Sequence, residues 1–344
     1  MHERDTLDPD TFHFRSLHPR VYMGTASDRY AGWLGQVYTR ELYQGRISSR
    51  TNKIKGKSFK EEVLPVECVA ELFQHFRVLE IDYTFYRTLL DEAGKATQNF
   101  HTLRTYRDHL AAGDGLILKV PQIVFARKIL RGGKHVENPL YLSPDVFTGQ
   151  FYEPAVELLG AHIRGFIFEQ EYQRREDRTT DTQLSEALGR FFEAIPRDKR
   201  YHIELRTESY LSEPVFRILE EFGVGQVLSH WTWLPPLRKQ LSRANHRFFN
   251  SGKQSIIRLM TPIGTRYEDA YAQAHPFDKL IDGMLQPGMI HDTARLMWES
   301  INQEIEVNVI INNRSGGNAP MIAQMIAKRF LSEQDRDQPA GPLD

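Results

Sequence analysis

Short apolar runs alternate with segments of helical period along most of the chain. Residues 21–26 (VYMGTA), 78–84 (VLEIDYT), 115–121 (GLILKVP), 165–170 (GFIFEQ), 201–206 (YHIELR), 226–232 (QVLSHWT), 255–260 (SIIRLM) and 307–313 (VNVIINN) read as strands. Helical spacing fills the intervals. Val66, Val69, Leu72, Phe73 and Phe76 form one stripe over 64–76, and Phe100, Leu103, Tyr106 and Leu110 another over 96–112. Further helices are expected over 154–162, 184–195, 214–222, 267–284, 292–304 and 320–330. About eight strand–helix units predict an α/β fold, a TIM-type (β/α)8 barrel in one domain over residues 20–331. A doubly wound sheet would carry a glycine fingerprint after an early strand, and GTASDR from Gly24 does not match it. Residues 1–19 read as a polar arm and 332–344 as a disordered tail. Long loops follow the first strand, to about residue 59, and the third, to about residue 150.

Within the strands the alternation has a consistent sense. Side chains two apart share a face, so His202, Glu204 and Arg206 fall together, with Ile203 and Leu205 opposite. Arg258 likewise shares a face with Ile256 and Met260, and Asn308 with Asn312. In 78–84, Glu80, Asp82 and Thr84 lie on one face and Leu79, Ile81 and Tyr83 on the other. The rule is apolar outward, polar inward near the strand end. In a barrel of this type the strand ends face the active site, which makes Thr25, Glu80, Asp82, Lys119, Gln170, Glu204, Arg206, His230, Arg258, Asn312 and Asn313 candidate site residues, with Tyr86 in the loop above. Glu80, Asp82 and Glu204 oppose Lys119, Arg206 and Arg258, so the same group also suits a structural ion network. His202, deeper in its strand, reads as a hydrogen-bonded interior histidine, and Trp231 and Trp233 as packing.

Composition bounds the chemistry. The 344 residues are 40% hydrophobic and 26% charged, with a net charge of −1, so nothing global draws the chain to nucleic acid or membrane. The lone Cys68 excludes an internal disulfide and multi-cysteine metal sites. No apolar run approaches the roughly 18 residues of a membrane helix, and a cytoplasmic protein is expected. Oligomeric state and cofactor are left open. Glu80, Glu204 and His230 include metal-donor atoms, but no tight His/Asp/Glu spacing supports a metal site.

Charge is uneven locally. The first long loop carries Arg46, Arg50, Lys53, Lys55, Lys57 and Lys60, and the loop after the third strand carries Arg127, Lys128, Arg131 and Lys134. Both would project from one end of the barrel, as a basic rim or as two solvated loops. The residues suit two functional readings. One is a hydrolase-like enzyme on an anionic, phosphate-bearing or polyhydroxylated small molecule. Arg206, Arg258 and Lys119 would hold the anion, Glu80 and Glu204 would serve as acid and base, and His230 and Lys119 would join the catalytic group. Asp82, Tyr86, Gln170, Asn312, Asn313 and Thr25 would orient substrate. The other is a nucleic-acid-binding, nuclease or repair-like protein using the basic loops, with Tyr30, Trp33 or Trp231 for stacking. A non-catalytic binding barrel is a third possibility.

Several of these segments, taken together, resemble the YecE-like family, known as domain of unknown function 72. GTASDRYAGW from Gly24 and VLEIDYTFYR from Val78 are similar to two of its segments. So are the Lys119 strand, Gln170, Glu204 and Arg206 in IELR, Arg258 in IIRLM, and Asn312-Asn313 followed by Gly317 and Ala319. The likeness covers about residues 21–330 and implies a TIM-type barrel with no established reaction. Asp82 stands where the family usually has Asn, and Thr207 where a His commonly follows the Arg. The QLP segment after the fourth strand is QEY here. These departures add an inner carboxylate and remove an imidazole.

Overall fold

Eight strands close into a parallel barrel, and two antiparallel hairpins project from the chain between them. In the computed structural model, which describes residues 11–337, the strands are β1 (Val21–Ala26), β2 (Ser48–Ile54), β3 (Lys57–Val63), β4 (Val78–Ile81), β5 (Gly115–Lys119), β6 (Lys128–Arg131), β7 (Lys134–Glu137), β8 (Ile163–Gln170), β9 (Tyr201–Leu205), β10 (Gly225–His230), β11 (Gln254–Leu259) and β12 (Glu306–Ile311). The closed order is β1-β12-β11-β10-β9-β8-β5-β4. The predicted (β/α)8 barrel is therefore the fold. Closure places β4 and β12 on either side of β1, which decides where the functional groups meet.

The predicted parity separates two layers of core. Leu79, Ile81, Leu116, Leu118, Phe166, Phe168, Ile203, Leu205, Ile257, Leu259, Val307, Val309 and Ile311 pack outward against helix residues such as Leu72, Phe191, Met297 and Ile326. Inside the barrel, Ala26, Val78, Ile117, Ile167, Val227, Ile256 and Ile310 form a separate buried cluster. Each inward apolar residue precedes an inward polar one by two positions on β4, β5, β8 and β11, giving Glu80, Lys119, Glu169 and Arg258. An apolar plug thus lies beneath a charged layer, in the layered manner of this barrel class.

Gly24 sits where β1 comes closest to β4. A Cβ there would lie 2.0 Å from the Val78 carbonyl oxygen, a backbone atom that cannot rotate away. Gly24→Ala is expected to destabilise the chain by about 1–3 kcal/mol through overpacking. Urea unfolding measures it, and an unchanged midpoint contradicts the close approach.

The helices follow their local signals with shifted ends. Thr180 and Gln183 form a reciprocal capping box at the start of helix Asp181–Ala194. Gly223, at φ 65°, ends helix Glu213–Phe222 in the left-handed conformation. The helix expected over 267–284 stops at Ala274. The last helix continues through Asp337, so residues 332–337 of the expected tail are helical, and 338–344 lie outside the described residues.

Both long loops fold in part. The first contains the β2–β3 hairpin and the second the β6–β7 hairpin, neither built from an apolar run. Of the expected arm, residues 1–10 lie outside the described residues. Residues 11–19 have no regular structure but are docked: Phe14 and Leu17 are buried, and Arg15 donates to the Phe76 carbonyl at 3.0 Å and to Asp114 at 2.7 Å. Since Phe76 and Asp114 precede β4 and β5, this segment covers the end of the barrel away from the charged layer. Among the described residues no helix is long and apolar enough to cross a membrane.

Candidate functional site

The charged layer is a closed ion network. Arg258, wholly buried on β11, makes a fork with Glu80: Nε donates to Oε2 at 2.7 Å and Nη2 to Oε1 at 2.6 Å. Its Nη1 reaches Glu204, and Glu169 at 3.5 Å. Glu169 also holds Lys119 at 2.6 Å and Arg206 at 2.7 Å, and Arg206 Nε donates to Glu204 at 3.0 Å. Three carboxylates thus face three cations, a balance that makes burial of charge tolerable. Burial raises Glu169, but Arg206, Lys119 and Arg258 outweigh it and hold the carboxyl at about 2. At Glu80 burial wins over Arg258, and with the Asp82 charge it lifts the carboxyl above the usual range.

This arrangement revises several expected roles. Arg206, Arg258 and Lys119 already donate to glutamates, so their charges are met within the protein. Glu80 and Glu204 are fully buried behind Arg258. Thr25, Gln170 and His230 are site candidates by their position near strand ends, but all three face the outer layer. Thr25 is level with Leu79 and Ile311, Gln170 with Leu205, and His230 with Leu259, each an outward residue. His230 has its Nδ1 3.0 Å from the Thr261 carbonyl, and burial lowers its basicity. Glu80, Glu204 and His230 therefore do not converge, and among the described residues no three His, Cys, Asp or Glu side chains group as metal ligands. Glu169 is an inward residue on β8 that is absent from the sequence-based candidates. The signal was parity, since Gly165, Ile167 and Glu169 repeat the phase of Ile117 and Lys119.

Beyond the strand ends the picture changes again. β4 stops at Ile81, and residues 83–85 form a 3-10 turn. Thr84 is therefore not on a strand face; its hydroxyl donates to the Lys119 carbonyl at 2.8 Å. Asn312 accepts from the Arg314 amide at 3.0 Å. Asn313 accepts from Trp33 Nε1 at 3.1 Å and from the Ala319 amide at 2.8 Å, so it ties the first loop to the last helix. Trp33 is fully buried, and Trp231 lies under Arg206, with the guanidinium carbon 4.9 Å from a ring centroid. Neither presents a free face for stacking. Trp233 and Tyr172 are exposed aromatics at this end and stack on each other, centroids 5.4 Å apart.

A groove of about 820 Å3 opens beside the network, above the ends of β4, β1 and β12. Ser27, Asp28 and Tyr30 line it from the β1 end, Asp82 and Tyr86 from the β4 end, and Arg314 from the β12 end. Tyr267 closes one side. The β2–β3 hairpin supplies the wall above through Arg50, Asn52 and Glu61, anchored by Ile54 and Phe59 against the Tyr271–Phe277 cluster. Of the expected catalytic and substrate-binding residues, only Asp82 and Tyr86 line this groove. Ser27, Asp28 and Arg314 complete it, and no strand pattern marked Asp28 or Arg314.

The two aspartates differ in environment. Asp82 accepts from the Ser27 hydroxyl at 2.9 Å. Burial would raise it, but Lys119, Arg258 and the Ser27 hydroxyl together hold it below the usual carboxylate range. Asp28 is buried without a cation partner among the described residues. Its Oδ1 accepts from the Tyr106 hydroxyl at 2.8 Å, and its Oδ2 has no hydrogen-bond partner. Burial pushes it up to about 6, partly offset by Tyr106 and Arg29.

The expected basic rim is neutralised in part. Arg46 pairs with Glu67 at 2.7 Å, Arg50 with Glu61 at 2.6 Å, Lys55 with Asp269 at 2.7 Å, and Lys128 with Asp177 at 2.6 Å. The Arg131 side chain lies outside the described residues. Such exposed pairs add little stability, yet they lower the net field the loops present.

The chain is similar in fold to a DUF72 family protein from Enterococcus faecalis V583, with a TM-score of 0.53 and 15% identity over 90% of this chain and 95% of that one. A DUF72 family protein from Thermotoga maritima MSB8 gives a TM-score of 0.53 and 14% identity, over 91% of this chain and 99% of that one. At these identities the likeness is one of fold. No curated protein matches the chain. The family described as "Protein of unknown function DUF72" matches residues 22–343, from the first barrel strand onward, and the chain belongs to that family.

Proposed function

We propose that the chain is a hydrolase-like enzyme that works by general acid–base catalysis on a small polar molecule in the groove, with Asp82 as base and Asp28 as acid. The observation that carries this is the pair itself: two carboxyls line one groove, one ionised and hydrogen-bonded, the other desolvated, protonated in part near neutral pH, with one oxygen unpartnered. Environments that push two acids apart supply the two protonation states such a reaction needs. The ion network of Glu80, Glu169, Glu204, Lys119, Arg206 and Arg258 acts as a positioning layer in this reading. It is balanced and buried, and Lys119 and Arg258 hold Asp82 ionised. A small substrate is favoured over nucleic acid because four of the loop cations, Arg46, Arg50, Lys55 and Lys128, already have carboxylate partners.

The test is hydrolysis of p-nitrophenyl phosphate and a set of p-nitrophenyl glycosides by the wild type, Asp82→Asn and Asp28→Asn. We expect turnover by the wild type and a loss of at least about 100-fold in each variant, with circular dichroism unchanged. The wild-type rate should fall as pH rises above about 6, where Asp28 gives up its proton, and that limb should vanish in Asp28→Asn. Absence of wild-type turnover across the set, or full rates in both variants, removes the proposal.

A further inference from the structure

Lys119, Arg206 and Arg258 are each matched by a glutamate at the barrel mouth. Arg314 is not. It follows β12 directly, on a 3-10 turn capped by the Asn312 side chain, which accepts from the Arg314 amide. Its guanidinium carbon stands 4.2 Å from the Tyr267 ring centroid and 5.3 Å from that of Tyr271, which holds the fork against aromatic faces. Among the described residues no carboxylate reaches it within ion-pair distance. Among the described residues its one side-chain hydrogen bond is a long contact of 3.4 Å from Nη1 to the neutral Asn312 amide oxygen, and its Nε is buried with no partner there.

A mostly buried guanidinium with unused donors is costly, and proteins ordinarily supply a carboxylate. Here the carboxylates of the mouth are engaged elsewhere: Glu80, Glu169 and Glu204 on the inner network, Asp82 on Ser27, Asp28 on Tyr106, Glu61 on Arg50 and Tyr271. The donors that remain belong to a residue lining the groove, where a ligand would meet them. A planar fork with free N–H groups suits an oxyanion, whose two oxygens can each accept one hydrogen bond.

We propose that Arg314 is the seat for the oxyanion of the groove's ligand, a phosphate or carboxylate carried by a small organic molecule. This shifts the anion-binding role from Arg206, Arg258 and Lys119, where strand parity pointed, to a residue beyond the last strand. The aromatic side chains of Tyr30, Tyr86 and Tyr267 in the same groove provide apolar surface for the rest of such a molecule. The proposal names the ligand class for the acid–base reading above and rests on that reading only for what happens after binding. Its test therefore measures binding alone.

Isothermal titration of the full chain with inorganic phosphate and, separately, with acetate distinguishes the two oxyanions. We expect at least one of them to bind the wild type. Arg314→Gln should weaken that binding by about tenfold or more, the effect of losing hydrogen bonds to a charged group. Arg314→Lys, which keeps the charge but not the fork, should lie between. Lys57→Gln, a cation on the hairpin outside the groove lining, should bind as the wild type does. Thermal unfolding of the free proteins checks that the variants fold. Binding of neither anion by the wild type overturns the proposal, as does equal binding by wild type and both Arg314 variants, or a Lys57→Gln loss as large as that of Arg314→Gln. Anion binding lost in Arg314→Gln, together with no turnover by the wild type, would leave the oxyanion seat standing and remove the catalytic reading.

Discussion

Replacing Arg258 with leucine is expected to destabilise the fold by about 3–5 kcal/mol, the cost of leaving buried charges without their partner. Glu80 has its fork to Arg258 as its ion pair, and both residues are fully buried. With the guanidinium gone, the Glu80 carboxyl must either stay ionised in a desolvated site or take up a proton, and both alternatives cost free energy. Glu204 keeps Arg206, and Glu169 keeps Lys119 and Arg206, so the damage centres on Glu80. A double variant, Arg258→Leu with Glu80→Leu, removes the stranded charge and should recover a large part of the loss, because apolar packing replaces buried ion pairs at little cost. Urea unfolding of the wild type, the single and the double variants measures this. A single variant within about 0.5 kcal/mol of the wild type, the range of ordinary surface changes, would show that the network is not the closed unit described.

Asp28→Asn should have the opposite effect on stability. In the folded chain burial lifts this carboxyl from 3.8 to about 6. Between those values the native state binds more protons than the unfolded state, so stability declines as pH rises through the window and stays lower above it. The penalty at pH 7.5 is about 3 kcal/mol, at about 1.4 kcal/mol per tenfold change in acidity. Asparagine has no proton to lose and retains an oxygen to accept from Tyr106. Above pH 6 the variant should therefore be more stable than the wild type, while below pH 4 the two should converge. Chemical denaturation of both proteins at pH 4 and pH 7.5 provides the check. Equal stability at both values would mean that Asp28 is not desolvated. A carboxyl kept at such a cost beside a groove fits a working residue, since active sites commonly trade stability for function.

Both effects turn on contacts between distant parts of the chain, and this marks how far the sequence alone reaches. Period-two alternation is a local property. It identified the barrel strands and the inward positions Glu80, Lys119, Glu204 and Arg258 because each of those strands carries a clear apolar-out, polar-in contrast. On β8 the contrast fails: Gly165, Phe166, Ile167 and Phe168 form a continuous apolar run, as strands buried on both faces do, so the last polar residue drew attention and Gln170 displaced Glu169. On β1, Gly24 and Ala26 are the inward residues, and their small size hid the phase that turns Thr25 outward. The hairpins at Ser48–Ile54 and Lys57–Val63 escaped notice for a related reason, since a ribbon half in solvent needs no apolar run.

The sequence by itself therefore determined the architecture, the outward core and most of the charged layer, because period and parity arise from the backbone geometry of each strand taken alone. Tertiary structure decided the groove. Closure of the barrel brings the ends of β4 and β12 to either side of β1, so Asp82, Asp28 and Arg314 meet although they lie in three separate parts of the chain. It also set their chemistry. Asp28 is made a weak acid by burial, an effect that the hydroxyl of Tyr106, 78 residues away, partly offsets, and among the described residues Arg314 is left without a carboxylate because the glutamates of the mouth are bound to other cations. Desolvation and the absence of a counter-charge depend on neighbours in space, and no local pattern records them.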